Sequence, residues 1–276
     1  MQDFPLRRPR LWIIAGTGEG PLLAAALLQR GWRLRVQVVS AEARRAYAPD
    51  PQLEVVVGAL AGPEAVRETI AQARRAGDPF AWLVDASHPF ALRISATLVE
   101  ACRGCGQPLL RLLRPLEAEG AADRLVDGSA LAASLEGGER LLLAVGARHL
   151  ASLLAPLPAV QAHARVLPRP LALRQARAAG LPPERIACLA PTADGRIEAA
   201  LCRQWAIHTV LCRESGGHTE RLWRRLCAAA GLRLLLLARP AEPPGVETLP
   251  LPALLDRLAA PGDPAAWGAP QPQADG

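Results

Sequence analysis

Short apolar runs alternate with amphipathic stretches along most of the chain. The runs are rich in leucine, valine and isoleucine and predict buried strands, whereas the stretches between them have helical spacing. Strands that alternate with helices of this length are typical of parallel βαβ units. In the first half, strands are predicted at 11–15, 33–39, 53–57, 81–84 and 109–113, with helices at 21–30, 63–76 and 89–103.

A polar, irregular stretch at 116–138 is followed by a second half with the same alternation. We therefore predict an α/β fold of two Rossmann-like domains with parallel sheets and a cleft between them. In this half, strands are predicted at 141–145, 159–166, 185–189, 207–212 and 233–238, with helices at 147–154, 170–179, 196–205 and 218–230.

The predicted domain division has four parts. Residues 1–118 form an N-terminal Rossmann-like dinucleotide-binding domain, 119–138 a linker region, 139–242 a C-terminal Rossmann-like domain and 243–276 a proline-rich tail. Within the tail, one more helix is predicted at 250–260, and the composition of 261–276 predicts disorder.

One internal repeat supports two similar halves. Residues 102–117 and 227–242 both read as a helix end, a glycine, an apolar strand and then Arg-Pro. Chance similarity between leucine-rich strands is the alternative explanation, because motif matches in apolar runs are weak evidence.

The charge balance is positive, with 32 basic residues against 26 acidic ones and a net charge of +6. Every basic residue is arginine, and the arginines are scattered rather than clustered with aromatic residues, which make up only 4% of the chain. This distribution argues against a nucleic-acid partner. An acidic small-molecule substrate fits the charge, as does a simple bias in genome composition.

The chain contains no apolar run of the length that spans a bilayer, about 18 residues or more. Its N-terminal residues have neither the long apolar region nor the cleavage site of a signal peptide, so a cytoplasmic protein without a membrane partner is expected. Of the six cysteines, only Cys102 and Cys105 form a C-x-x-C pair. A zinc site needs further ligands at suitable spacing, so we predict no metal and expect buried free thiols.

A glycine-rich segment, GTGEG at 16–20, follows the first predicted strand. Glycines let a phosphate approach the backbone, and the N–H groups at the start of the following helix face that phosphate. In the dinucleotide fingerprint G-x-G-x-x-G the third glycine would stand at Pro21, whereas here it stands at Gly20. A plain tight turn is therefore the alternative. The predicted cofactor-binding residues of this segment are Gly16, Thr17, Gly18 and Glu19.

The end of the second strand indicates which nicotinamide cofactor is used. Sites that prefer NAD usually have an acidic residue there, which binds the ribose hydroxyls. This chain has Ser40 there, with Arg44 and Arg45 just beyond and Glu42 between them. Ser40 and Arg44 are therefore predicted to bind the 2′-phosphate of NADPH, and a solvated charged loop is the alternative.

The segment VDASHPFALRIS at 84–95 follows the fourth strand. Ser87 or His88 is a predicted N-cap for the next helix. Capping accounts for one small polar residue but not for Asp85, His88 and Phe90 together. Such a set at the carboxyl end of a strand predicts a binding role.

In the second half, the strand at 207–212 ends in RESGGH. Ser215, Gly216 and Gly217 precede a helix and resemble an anion-binding turn, and a simple N-cap turn is the alternative. The pattern G-x-S-x-G is absent because Arg213 stands at its first position, so Ser215 is not predicted to be a hydrolase nucleophile.

These segments together resemble the precorrin-6A reductase family, which acts in cobalamin (corrin ring) biosynthesis. The resemblance covers about residues 10–240, and D-A-[ST]-H-P-[FY]-A-x-x-[IV]-S, matched from Asp85 to Ser95, is its most specific part. GARHL at 146–150 and RVLP at 165–168 resemble further family segments. The chain departs from the family at Arg213, where lysine is usual, and at 190–192, where APT replaces G-P-F-[ST].

The resemblance implies an NADP-dependent oxidoreductase that transfers hydride to a C=C bond of an acidic, tetrapyrrole-derived macrocycle. It implies that Asp85 and His88 are catalytic, that Phe90, Arg93 and Arg213 bind substrate, and that Ser87, Ser215, Gly216 and Gly217 join the cofactor-binding set. Transient contact with neighbouring pathway enzymes is expected as a further partnership.

The alternative function is a non-catalytic NADP-binding protein, such as a redox sensor or a pathway scaffold. A nucleotide-sugar epimerase would need a Tyr-x-x-x-Lys pair, which a chain without lysine lacks.

Overall fold

The computed structural model describes residues 8–16, 18–117, 122–125 and 127–258. The chain divides into two compact units. The first contains the residues up to Arg114 and those from Pro240 onward, and the second contains Pro115–Arg239. Strands and helices are numbered below in chain order. The repeat contains two Arg-Pro pairs, at 114–115 and 239–240. They lie at the two points where the chain passes from one unit to the other.

The first unit is a six-stranded parallel sheet in the order β12-β5-β4-β1-β2-β3. Its strands are β1 (Arg10–Ala15), β2 (Arg33–Val38), β3 (Leu53–Val57), β4 (Phe80–Ala86), β5 (Leu109–Leu113) and β12 (Glu247–Pro250). Its helices are α1 (Glu19–Gln29), α2 (Ala41–Arg44), α3 (Pro63–Arg75), α4 (Leu92–Cys105) and α10 (Leu251–Arg257).

Successive residues of its central strands alternate between two buried cores, as side chains of a strand must. In β1, Leu11 and Ile13 pack with residues of α1 and α10, whereas Trp12 and Ile14 pack with residues of α3 and α4. The sheet is therefore covered by helices on both faces, which accounts for nearly continuous apolar strands.

The second unit has the same architecture, a six-stranded parallel sheet in the order β6-β11-β10-β7-β8-β9. Its strands are β6 (Asp123–Leu125), β7 (Arg140–Ala144), β8 (Gln161–Val166), β9 (Ile186–Cys188), β10 (Thr209–Arg213) and β11 (Arg233–Leu237). Its helices are α5 (Gly128–Ala133), α6 (Leu150–Leu154), α7 (Pro170–Ala178), α8 (Arg196–Gln204) and α9 (His218–Ala230), with 3₁₀ turns at Ala147–His149 and Pro183–Arg185. The predicted α/β class with two parallel sheets is confirmed.

The edge strand of each unit follows, in the chain, a strand of the other unit. β6 follows β5 in sequence but pairs with β11 in the second unit, and β12 follows β11 but pairs with β5 in the first. The structure therefore differs from the predicted division in two places. The predicted linker at 119–138 contains β6 and α5, and the predicted tail contributes β12 and α10 to the first unit. Residues 261–276, predicted to be disordered, lie outside the described residues.

Four of the six cysteine thiols are buried: Cys102, Cys202, Cys212 and Cys227. Burial raises the pKa of each, to about 12 for Cys102 and Cys227 and to about 11 for Cys202. Such thiols stay protonated at neutral pH and behave as small apolar side chains. Among the helices of the described residues, none is long and apolar enough to cross a membrane.

Candidate functional site

In each unit, the strand order reverses beside one central strand. The reversal lies between β1 and β4 in the first unit and between β7 and β10 in the second. Ligands of open parallel sheets bind beyond the carboxyl ends of the strands at this point. The four loops there are the four segments that the sequence analysis quoted as GTGEG, ASHPF, GARHL and RESGG.

Gly16 lets the loop after β1 approach the turn after β4. Its N–H donates to the carbonyl of Ala86 at 3.3 Å. A Cβ at Gly16 would lie 3.3 Å from the backbone nitrogen of His88 and 3.4 Å from the Cα of Ser87, tighter than most real Cβ contacts. The structure therefore brings the glycine-rich segment and the Ser87–His88 turn together.

The next two glycines have different roles. A Cβ at Gly18 would meet no atom of the described residues within 4 Å, so their packing does not explain why this residue lacks a side chain. A Cβ at Gly20 would lie 3.0 Å from the Cβ of Ala15 and would clash with the hydroxyl of Tyr47. Close packing of helix on strand is the role of the third fingerprint glycine, and Gly20 performs it in place of Pro21. Thr17 lies outside the described residues.

We expect Gly20→Ala to lower the free energy of unfolding by about 1–3 kcal/mol, because the added methyl group overpacks the contact with Ala15 and Tyr47. Gly104→Ala is the matched control, since a Cβ at this second helical glycine meets only the Arg67 side chain, at 3.6 Å. Gly104→Ala should stabilise the protein by about 0.5–1 kcal/mol, because glycine is the poorer helix former. Urea denaturation of both variants tests the assignment, and equal shifts would contradict it.

Asp85, predicted to be catalytic, is the centre of a buried network. Its side chain is 2% exposed. Oδ1 accepts from the N–H of Ser87 at 2.9 Å, and Oδ2 accepts from the hydroxyl of Ser95 at 2.7 Å and from Nη1 of Arg111 at 2.6 Å. Nη1 of Arg111 also donates to Ser95, at 2.8 Å. Because both oxygens are engaged by protein donors, the geometry favours a positioning role for Asp85 over proton transfer.

His88 is only partly buried and stands beside Phe90, with ring centroids 5.8 Å apart. Its Nδ1 lies 3.1 Å from the N–H of Phe90 and accepts its hydrogen bond. This bond assigns the neutral tautomer with hydrogen on Nε2, so that Nε2 is the donor. The arrangement suits a ring that donates a hydrogen bond while its other nitrogen holds the turn.

The helix after this turn starts later than predicted. α4 begins at Leu92, and its N-cap is Ala91 rather than Ser87 or His88. The reason is that Ser87 is buried with its hydroxyl 3.4 Å from that of Ser95, while His88 binds the Phe90 amide. Arg93, predicted to bind substrate, lies exposed in the first turn of α4.

The remaining predicted cofactor residues of the first unit lie along the same edge of the sheet. Ser40 is the N-cap of α2, and its hydroxyl accepts from the Ala43 N–H at 3.3 Å. Arg44 is exposed in the last turn of that helix. The carboxylate of Glu19 pairs with Arg114, so a cofactor phosphate would meet the backbone N–H of Glu19 rather than its side chain.

A positively charged cluster lies at the strand reversal of the second unit. Gly146 lies in the loop that follows β7, and its φ is 83°. A Cβ at this position would lie 3.1 Å from Nη2 of Arg213. Burial, with a smaller effect of the nearby Arg148 guanidinium, lowers the pKa of Arg213 to about 10. Burial and both guanidiniums lower the pKa of His149. The neighbouring guanidiniums that lower these two pKa values are positive, so the cluster favours a bound anion.

The RESGG loop is less open to a ligand than predicted. The N–H of Gly216 donates to Oε2 of Glu220 at 2.7 Å, because the third residue of α9 reaches back over the start of its own helix. Glu220 also binds Arg224 at 2.8 Å. Ser215 is buried, and Gly217 is the N-cap of α9. The Gly216 amide is therefore directed at protein rather than at a cofactor.

Comparison with known proteins identifies the family of this chain. The family described as "Precorrin-6x reductase CbiJ/CobK" matches residues 10–256. The chain belongs to the precorrin-6x reductase family. Its relatives include the cobalt-precorrin-6A reductase of Synechocystis sp., 33% identical over 246 residues that cover 86% of this chain and 91% of the relative.

A second relative supports the same assignment, and a solved structure shows the fold. The precorrin-6A reductase of Rhodococcus erythropolis is 31% identical over 252 residues, which cover 87% of this chain and 93% of the relative. The solved structure of "CobK precorrin-6A reductase" matches with a TM-score of 0.70 and 24% identity, covering 92% of this chain and 98% of that one. The reductase therefore has the fold of that structure.

Membership of a reductase family implies a nicotinamide cofactor, and the residues of the first unit fit one. A side chain at Gly18 would fill open space at the strand reversal, and Gly18, the N-cap of α1, has no side chain that could cap the helix. The uncapped N–H groups and the missing side chain together form a suitable cradle for a pyrophosphate.

The sequence analysis missed several polar residues near the carboxyl ends of strands in the reductase. Ser95, Arg148 and His149 lay within quoted segments, and Arg111 lay within a predicted strand, but all four were assigned no role. Arg165 of RVLP is a fifth, with a side chain only 7% exposed and with Nε and Nη2 lacking a hydrogen-bond partner among the described residues. The nearby carboxylate of Glu198 binds Thr192 instead. For Arg111 and Arg165, the available signal was a charged residue inside an apolar run.

Proposed function

We propose that this chain catalyses the NADPH-dependent reduction of a ring C=C bond of precorrin-6A, or of its cobalt-containing form, in cobalamin biosynthesis. The observation that carries the proposal is the contact between the Gly16 loop and the Ser87–His88 turn at the β1–β4 reversal. This contact brings a phosphate cradle beside a histidine and an aromatic ring in a chain of this family.

The residues of the first unit would hold the cofactor, which supplies the hydride when bound. Gly16, Gly18 and the first N–H groups of α1 would bind the pyrophosphate. Ser40 and Arg44 would bind the 2′-phosphate, since no acidic side chain occupies the end of β2.

The turn after β4 would align the reacting groups and keep water out. Nε2–H of His88 would donate a hydrogen bond to the cofactor or the substrate, and Phe90 would offer an apolar face to a flat ring. Because Nδ1 of His88 accepts the hydrogen bond of the Phe90 amide, the ring is neutral and its one N–H serves as the hydrogen-bond donor. We therefore assign the proton that completes the reduction to water.

The second unit would hold the acidic macrocycle. Its cluster of Arg148, His149 and Arg213 carries the positive charge that acetate and propionate groups need, and arginine binds a carboxylate with two hydrogen bonds. Arg165 is proposed as a further carboxylate-binding residue because its Nε and Nη2 are buried and have no hydrogen-bond partner within the part of the chain that the structure describes. The RESGG loop is proposed to shape this substrate site rather than the cofactor site.

The test is the near-ultraviolet absorbance of NADPH with purified protein, with and without precorrin-6A or its cobalt form. We expect oxidation that depends on the macrocycle and is much slower with NADH. Tight NADPH binding without oxidation on either macrocycle would favour the non-catalytic alternative.

Arg44→Ala should raise KM for NADPH by about tenfold while KM for NADH stays unchanged, because only NADPH carries the 2′-phosphate. Arg30→Ala is the matched control, an exposed arginine at the far end of α1. An equal effect of Arg44→Ala on both cofactors would contradict the assignment of the phosphate site.

A further inference from the structure

The guanidinium of Arg111 is held between two carboxylates that approach it from distant parts of the chain. Nη1 binds Asp85, 26 residues away, and Nε binds Glu242, 131 residues away. The Arg111 side chain is 3% exposed, and that of Glu242 is 26% exposed. Glu242 lies in the segment that returns from the second unit, five residues before β12.

The returning segment is anchored at two points just after this contact. Just after Glu242, the carbonyl of Pro244 accepts from Nη2 of Arg103 in α4 at 3.1 Å. Glu247, the first residue of β12, is paired in register with Leu110, the residue before Arg111. Glu242 is therefore presented to Arg111 by a fixed backbone.

Glu242 supplies an acceptor for a donor of Arg111 that Asp85 does not engage. A guanidinium presents donors along more than one edge, and a buried donor left without an acceptor is costly. Asp85 and Ser95 engage Nη1, whereas Glu242 engages Nε. With both edges bound, Arg111 has one orientation, and that orientation sets the position of Oδ2 of Asp85.

The position of Asp85 in turn sets the turn at the candidate site. Its second oxygen, Oδ1, holds the N–H of Ser87 at 2.9 Å, and His88 is the next residue. We propose that Glu242 is a positioning residue of the reductase, acting through Arg111 and Asp85 to hold the Ser87–His88 turn in its productive geometry. This inference rests on the proposed function of that turn.

Glu242→Gln tests the proposal, since it keeps the size of the side chain and removes its charge. We expect kcat to fall about tenfold, because small displacements of aligning groups slow a reaction strongly, while KM for NADPH changes less than about twofold. Glu247→Gln is the matched control on the same segment, whose ion pair with Arg257 has no contact with Asp85. It should leave kcat unchanged, and both variants should melt at similar temperatures.

A double-mutant comparison tests whether Glu242 acts through Arg111. Arg111→Lys keeps the charge but cannot bridge both carboxylates. If the route is correct, adding Glu242→Gln to Arg111→Lys lowers kcat no further. Additive losses would overturn the proposal, because independent residues contribute independently.

NMR separates this inference from the proposed function and needs neither activity nor Arg111→Lys. In Glu242→Gln, the amide resonances of Ser87 and Phe90 should shift, since these amides report the Asp85 and His88 hydrogen bonds. In Glu247→Gln they should not. Unshifted amides in Glu242→Gln would overturn the positioning role, whereas absent turnover in the wild type with shifted amides would overturn only the proposed function.

Discussion

Asp85→Asn is expected to lower the free energy of unfolding by about 3–5 kcal/mol, because it breaks a buried ion pair and leaves Arg111 with Glu242 as its remaining carboxylate partner. Three donors converge on the two oxygens of Asp85: the Ser87 N–H, the Ser95 hydroxyl and Nη1 of Arg111. An asparagine has one acceptor oxygen, so in either orientation its NH₂ group faces a donor. The loss is large against the total stability of a domain, about 5–15 kcal/mol.

Asp50→Asn is the matched control, the same substitution in the same unit. Oδ1 of Asp50 accepts a single hydrogen bond, from the Gln52 N–H at 2.7 Å. Asparagine forms this local turn equally well, so the stability should not change measurably. Urea denaturation of the two variants decides the point. Similar stability of Asp85→Asn and wild type would show that the network contributes little to the fold.

Gly18→Val should weaken NADPH binding by about 100-fold or more, while the protein still folds. A valine side chain would occupy the space that a phosphate is proposed to enter, and each charge-assisted hydrogen bond lost costs about 1.5–3 kcal/mol. The backbone of Gly18 has a φ of −65°, which valine adopts without strain, and no atom of a described residue lies within 4 Å of its Cβ position. The stability cost is therefore that of a poor N-cap, about 1 kcal/mol.

His88→Ala provides the contrast, measured by calorimetric titration of NADPH and by turnover. It should bind NADPH within about threefold of wild type and lose about 100-fold in kcat, as the loss of one aligned donor does. If both variants bind and turn over NADPH normally, the β1–β4 reversal is not the cofactor site.

Most of the architecture could be predicted from the sequence because the hydrophobic period of a strand or helix is local. The runs at 11–15 and 141–145 are buried central strands, and the glycine and polar residues after them lie at the strand reversals. In a parallel sheet, the carboxyl ends share one edge, so residues after successive strands could be expected to gather. The contact of Gly16 with the Ser87–His88 turn follows from that rule.

The edge strands could not be predicted in the same way. β6 and β12 have three and four residues, too few to show a period, and each is stabilised by pairing with a strand that is distant in the chain. The two Arg-Pro pairs were visible in the sequence. These strand pairings were needed to show that the chain passes from one unit to the other at those pairs.

The features of the candidate site divide in the same way, into those that local sequence predicts and those that depend on tertiary contacts. By itself, the sequence determined the α/β class, the two halves, the family and the loops that carry the candidate site, because each depends on residues close together in the chain. Only the tertiary structure decided that Asp85 forms a buried ion pair with Arg111 and that Glu242 binds the same guanidinium. It also decided that the Tyr47 hydroxyl leaves no room for a side chain at position 20. Those roles depend on contacts across tens of residues or more, and no local pattern records them.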